Sequence, residues 1–217
     1  MKITTDACIF GAWCANTSAS NVLDIGAGTG LLALMYAQKN KSVIKAIELD
    51  KNSSVQCNEN FSKSKWSNAL LAINADFIEW SKAEKTRFDL IISNPPFFNN
   101  QFLSNNDSVN KSRHTITLSF EDLIAGVKLL LKEDGKFFVL LACNSDQLFE
   151  IIALRYGLFL NQKLLIRENG SKPFIRAICE FSYRKTKTEV KEFTIRNADG
   201  HYSKMFCNLL SNYYLKL

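Results

Sequence analysis

The stretch Ser93-Asn94-Pro95-Pro96-Phe97-Phe98, at the end of the apolar run Phe88-Asp89-Leu90-Ile91-Ile92, carries groups able to grip a flat amine. The side-chain oxygen of Asn94 and the carbonyl of Pro95 are both acceptors, so together they can take both hydrogens of one planar amine. Pro95 and Pro96 stiffen the turn that presents them. The ring of Phe97 can stack on the planar group bearing that amine. A proline-rich exit from a strand has the same composition, and short motifs recur by chance. What separates the two readings lies about seventy residues upstream.

There the chain reads Val22-Leu23-Asp24-Ile25-Gly26-Ala27-Gly28-Thr29-Gly30, followed by Leu31-Leu32-Ala33-Leu34-Met35. An apolar strand, a glycine-rich turn and a helix in that order form a junction that cradles a nucleotide. Glycines allow close backbone approach, and the helix start offers free N–H groups. The dinucleotide fingerprint would place its third glycine at the position held by Leu31. A third glycine at Gly30 makes a tighter loop and favours a ligand other than a pyrophosphate. The next apolar run, 42–47, leads into Glu48, about 20 residues beyond the glycines, where a carboxylate binds ribose hydroxyls. Glu48 is the expected ribose ligand.

Strands are predicted over 21–25, 42–48, 69–75, 88–93, 136–142, 163–168 and 176–183. Helical periodicity covers 31–39, 51–63, 120–131 and 146–156, with Ser119 and Ser145 as caps, and a terminal helix covers 203–214. Alternation of strand and helix implies a mainly parallel sheet. Gly26, Gly28, Gly30, Glu48, Asp76 and Asn94 then all fall at the carboxyl ends of strands, where such sheets bind ligands. The stretch 98–115, rich in Asn and Ser, reads as a loop over the substrate site.

Together these passages resemble class I S-adenosylmethionine-dependent methyltransferases of the amino-methylating type. More narrowly, the chain is similar to the bacterial tRNA1(Val) (adenine(37)-N6)-methyltransferase family. The similarity is carried by the opening run from Met1 through Thr4-Thr5-Asp6 to Gly11-Ala12-Trp13, by the loop from Asp24 to Gly30, by 87–98, by Ser112-Arg113-His114-Thr115 and by Tyr202-Ser203. The glycine loop and the Asn-Pro-Pro-aromatic turn belong to the broad class, whereas the opening run is particular to this family. The resemblance implies an α/β, Rossmann-like fold with a doubly wound, mainly parallel seven-stranded sheet flanked by helices. It also implies a single methyltransferase domain over 1–217, without the aromatic and basic extension the family carries ahead of the position of Met1.

The cofactor implied is S-adenosyl-L-methionine. Asp76 accepts the 6-amino hydrogens of its adenine in that reading and Phe77 forms an apolar wall; the alternative for Asp76 is a helix cap. Asp24 organises the glycine loop or helps hold the amino-acid part of the cofactor through water. Thr5 and Asp6 face the cofactor by the resemblance, with a cap for a helix over 7–15 as the alternative for Asp6. The reaction needs little acid–base chemistry, because an amine lone pair attacks a methyl group already activated on a sulfonium. Asn94 and the Pro95 carbonyl draw the amine hydrogens toward themselves, and Phe97 fixes the base plane. The implied substrate is tRNA, methylated at the adenosine immediately 3′ of the anticodon, which leaves the anticodon-loop stack to be reached.

The net charge of +6 fits an RNA partner. Lys and Arg gather at 163–167, at 172–176 and at Arg184-Lys185-Thr186-Lys187, with Lys111 and Arg113 in the loop beyond the Asn94 turn. Phe98, Lys111, Arg113, His114, Arg184 and Lys185 are the candidate RNA contacts on a basic face beside the site mouth. Glu189 and Glu192 among these residues keep a mixed, solvated surface open as the alternative. Six cysteines, at 8, 14, 57, 143, 179 and 207, lack Cys-x-x-Cys spacing and read as reduced, buried small hydrophobes. With His114 and His201 as the two histidines, no metal site is expected. Without a basic-flanked apolar leader or a long apolar run, a monomeric cytoplasmic enzyme is expected, with no membrane partner. Methylation of a protein glutamine or a ribosomal RNA guanine uses the same Asn-Pro-Pro-aromatic turn, and a non-catalytic RNA-binding relative is the third reading.

Overall fold

The computed structural model describes residues 3–96 and 118–216; Phe97, Phe98, Lys111, Arg113 and His114 lie outside the described residues. Central strands β1 (Asn21–Ile25) and β4 (Phe88–Ser93) are near-continuous apolar runs, as strands covered on both faces must be. They lie side by side in one eight-stranded sheet of order β3-β2-β1-β4-β5-β7-β6-β8. The other strands are β2 (Val43–Glu48), β3 (Leu70–Asn74), β5 (Leu131–Ala142), β6 (Phe159–Arg167), β7 (Arg176–Ser182) and β8 (Glu189–Thr194). Only β7 runs against its neighbours, β5 and β6. The sheet therefore confirms the doubly wound, mainly parallel expectation and corrects its strand count from seven to eight. The added strand, β8, pairs in parallel with β6. Its four leading residues, Glu189 to Glu192, are exposed, and a charged edge strand of this kind lacks the apolar alternation that announces a strand.

Helices α1 (Thr5–Cys14), α2 (Leu31–Lys39), α3 (Lys51–Ser62) and α7 (Lys204–Leu210) contribute to the core on one face of the sheet. Helices α4 (Phe77–Ala83), α5 (Phe120–Leu130) and α6 (Asp146–Arg155) contribute to the core on the other. Strand alternation feeds both: Val22 joins the first core, Leu23 and Ile25 the second. Gly11 lets α1 press on α2, since a Cβ there would lie 2.7 Å from Met35 Sδ. On the opposite face Phe149 packs between Phe120, edge-on at 4.9 Å, and Phe181 at 5.6 Å. Each such side chain contributes about 1.5–3 kcal/mol by leaving water.

Ser119 caps α5 through the Asp122 amide at 3.1 Å. Ser145 precedes α6 without a side-chain cap; its hydroxyl meets Asn144 instead. The terminal helix stops at Leu210, and the chain then folds back, the Tyr213 hydroxyl donating to the Met35 carbonyl at 3.2 Å. All six cysteines are free, four of them buried. Among the described residues no helix is long and apolar enough to cross a membrane.

Candidate active site

In an open sheet that grows outward from its middle, the crevice forms where successive crossovers leave in opposite directions. Here that point lies between β1, whose crossover leads to β2 on one side, and β4, which adjoins β1 on the other. Ile25 pairs with Ser93 across it, and Ser93 Oγ donates to the Ile25 carbonyl at 3.0 Å. The residues that follow are Gly26 and Asn94, so adjacent strands set the glycine loop and the Asn-Pro-Pro turn about 4.8 Å apart.

The loop is held open by its own backbone. Gly26, Gly28 and Gly30 have φ of 70°, 56° and 85°, and the Gly26 and Ala27 amides donate to the Ile47 carbonyl at 2.9 and 3.0 Å. A Cβ on Gly30 would lie 2.5 Å from the Phe61 ring and 2.8 Å from Cys57 Sγ, so α3 packs directly under the start of α2. At Gly26 a Cβ would meet nothing within 4 Å among the described residues. Those residues leave the space in front of it open to a ligand.

Glu48 stands over the loop at the end of β2. Its Oε2 accepts from the Gly28 amide at 2.7 Å and its Oε1 from the Asp50 amide at 2.9 Å. Asn74, a residue no motif announces, donates to the carbonyls of Glu48 and Leu49 at 2.9 Å each and fixes the strand end that carries this carboxylate.

Asp24 is fully buried, and neither of its carboxylate oxygens has a hydrogen-bond partner among the described residues. Burial pushes its pKa from 3.8 up to about 7; the Ala33 amide, in the first turn of α2 but outside hydrogen-bond geometry, opposes this, and the Glu48 charge adds to it. Burial together with the charges of Asp24 and Glu48 also pushes the Cys57 thiol up to about 12. Asn94 Oδ1 is the other buried oxygen without a partner among the described residues. Buried acceptors are normally satisfied, so three such oxygens, on Asp24 and Asn94, mark where a donor-bearing ligand fits.

Several of the expected residues also have partners outside this crevice. Asp76 caps α4, its Oδ1 accepting from Ile78 and Glu79 at 2.8 and 3.1 Å. Phe77 is buried against Gly126, where an added Cβ would lie 2.4 Å from its ring, so it serves the core between α4 and α5. Thr4, not Asp6, is the cap residue of α1. Asp6 Oδ2 instead takes the Arg176 guanidinium at 2.9 Å, joining α1 to the first residue of β7. Thr5 is exposed at the start of that helix, facing the Tyr214 hydroxyl, which burial pushes up to about 12. Nothing in the sequence announces a pair 170 residues apart.

The basic residues divide between two edges. Because β7 runs backward, its far end and the following Arg184 and Lys185 lie at the edge opposite Asn94, about 20 Å away by strand rise. The expected basic face beside the mouth therefore loses Arg184 and Lys185. Lys163 is taken by Asp146 at 2.9 Å and Glu150 at 3.6 Å, and Arg167 by Glu192 at 2.9 Å.

An open glycine cradle beside a turn whose Asn oxygen has no partner among the described residues, in this strand order, defines a class I methyltransferase. Residues 12–150 match the family model described as methyltransferase small domain. The chain is 36% identical over 99% of its length to a tRNA1(Val) (adenine(37)-N6)-methyltransferase of Proteus mirabilis, covering 88% of that protein. It is 37% identical over its whole length to one of Shewanella halifaxensis, covering 94%. A solved structure titled as a predicted O-methyltransferase from Agrobacterium tumefaciens shares the fold, with TM-score 0.69 at 14% identity over 95% of this chain and 96% of that one. The chain belongs to the tRNA1(Val) (adenine(37)-N6)-methyltransferase family.

Proposed function

We propose that this chain transfers a methyl group from S-adenosylmethionine to N6 of an adenosine in tRNA, the one immediately 3′ of the anticodon. One observation carries the assignment: Asn94 Oδ1, buried and without a partner among the described residues, one strand away from an open glycine cradle. An acceptor in that state accommodates an amine hydrogen without displacing a protein donor. The relatives' activity fixes which amine.

The residues present fit the cofactor. Space over Gly26 admits it, Glu48 offers remaining lone pairs to ribose hydroxyls, and the unpaired Asp24 oxygens suit the amino end of its methionine part, directly or through water. When bound, it supplies an electrophilic methyl on a sulfonium. The chain's own work is alignment. Asn94 Oδ1 and the Pro95 carbonyl accept hydrogen bonds from the two amine hydrogens, which turns the nitrogen lone pair out of conjugation with the ring and toward the cradle; Phe97, outside the described residues, is the candidate to stack on the base by the family resemblance. Holding the nitrogen in line at near-attack distance supplies several kcal/mol. A tRNA substrate makes the cytoplasm the place of action.

The test is transfer of labelled methyl to unmodified tRNA, ribosomal RNA and protein in parallel, followed by nucleoside analysis. Label is expected as N6-methyladenosine in tRNA, with Asn94→Ala lowering kcat by about 10²–10³-fold and leaving the cofactor Kd within a few-fold. Label confined to protein or ribosomal RNA refutes the assignment.

A further inference from the structure

The edge that carries Asn94 continues across the carboxyl ends of β5, β6 and β8. At its far end, between the turn after β6 and the segment from β8 into α7, lies a cleft of about 630 Å³. Its lining includes Asn169, Ser171, Arg196, Asn197, Lys204 and Met205, and no acidic residue. The cleft sits three to four strand steps from β4, roughly 14–19 Å along the edge, a few nucleotides from the base held at Asn94.

Its polar groups are arranged for an anion and a flat ring. Asn169 Oδ1 accepts from the Ser171 amide at 3.1 Å and its hydroxyl at 2.7 Å, which leaves the Asn169 amide nitrogen as a donor. The Asn197 side chain and the Lys204 ammonium are exposed and have no partner among the described residues. Arg196 is fixed by Glu168 at 3.1 Å and by the Gly200 carbonyl at 2.7 Å, and its guanidinium lies over the Tyr202 ring, 4.3 Å from its centroid. Tyr202 is in turn stacked on buried Phe206 at 4.3 Å and 13°. The Arg196 side chain remains 39% exposed, so its outer face is a rigid, backed platform. Guanidinium planes of this kind stack unpaired bases, and amide and ammonium donors suit phosphate.

We infer that this cleft binds a second nucleotide of the same RNA strand, with Lys204, Asn169 and Asn197 on its phosphate and Arg196 against its base. This rests on the RNA-methylating reading of the site. The cleft would thereby set how the strand enters the crevice while taking no part in the chemistry.

The test measures Kd for unmodified tRNA at several salt concentrations, Kd for S-adenosylmethionine, and methyl transfer, for wild type, Lys204→Ala/Asn197→Ala and Lys204→Glu. Both positions are exposed, so the variants are expected to melt with wild type. Binding of tRNA is expected to weaken about tenfold, with the log–log salt slope lowered by about 1 and cofactor Kd unchanged. Variants that bind tRNA as wild type does, while wild type binds and methylates it, overturn the cleft alone. A wild type that neither binds nor methylates RNA overturns the reading beneath it.

Discussion

Asp24 and Glu48 are neighbouring carboxylates on one edge of the sheet, and their surroundings give them different duties. Glu48 spends an oxygen on each of two backbone amides and so shapes the loop. Asp24 has burial without partners and a pKa near 7. Its native proton affinity exceeds its unfolded one, so the folded state loses stability as pH rises from about 4 through 7 and no more beyond. The whole effect is roughly 4 kcal/mol at 1.36 kcal/mol per pKa unit. Asp24→Asn removes the ionisation, so the ligand-free variant should melt above wild type at pH 8, with the gap closing toward pH 4. Calorimetry across that range checks it; a gap that does not change with pH would show that Asp24 ionises in the fold as readily as in the unfolded chain. The same variant should bind S-adenosylmethionine more weakly at pH 8, because the carboxylate proposed to receive the ligand's donors is gone.

At the level of elements, the loop between β1 and α2 contains two glycines with similar φ and opposite environments. Gly30 has Phe61 and Cys57 pressed against it, whereas Gly26 faces open space. Gly30→Ala should therefore cost about 2–4 kcal/mol of stability through strain and overpacking. Gly26→Ala adds strain alone, about 1 kcal/mol, and should instead lose cofactor affinity, because its methyl would stand in the cradle. Thermal melts and cofactor titration of the pair separate the two effects. The link from α1 to β7 is a second matter of elements. Asp6 and Arg176 are 17% and 26% exposed and 2.9 Å apart, so a double-mutant cycle on Asp6→Ala and Arg176→Ala should return a coupling of about 1 kcal/mol. A coupling near zero would make the pair incidental to holding α1 at the rim.

Across the whole molecule, charge is placed by strand direction. One reversed strand carries Arg184 and Lys185 away from Asn94, while the parallel strands β6 and β8 bring Arg167 and Arg196 to the same edge as Asn94. Basic residues on the far edge add to the long-range attraction of a protein with net charge +6 without touching the strand held at Asn94. Arg184→Ala/Lys185→Ala should accordingly change tRNA Kd less than Lys204→Ala/Asn197→Ala at physiological salt, with its larger effect at low salt. Filter binding at two ionic strengths checks the order; the reverse order would place the RNA on the opposite edge.

Much of the site is legible in the residues because the groups concerned are local. Glycines at fixed spacing after an apolar strand, a carboxylate at the end of the next strand and an Asn-Pro-Pro turn after another each declare a strand end. The parallel alternation then sends strand ends to one edge, so residue types and spacing alone put Gly26, Glu48 and Asn94 on one rim. Residue type leaves open a choice between a local and a distant role. Asp76 serves its own helix through two amides, Phe77 fills a core, and Asp6 answers an arginine 170 residues away. The charged eighth strand and the reversal of β7 are equally silent, since pairing partners and strand direction come from packing between distant segments. The sequence by itself determined the class of chemistry and the loop that cradles the cofactor. Only the tertiary structure decided which carboxylate stays unpaired, which basic residues share the catalytic edge and which cleft lies beside it, because burial and proximity are properties of the packed chain.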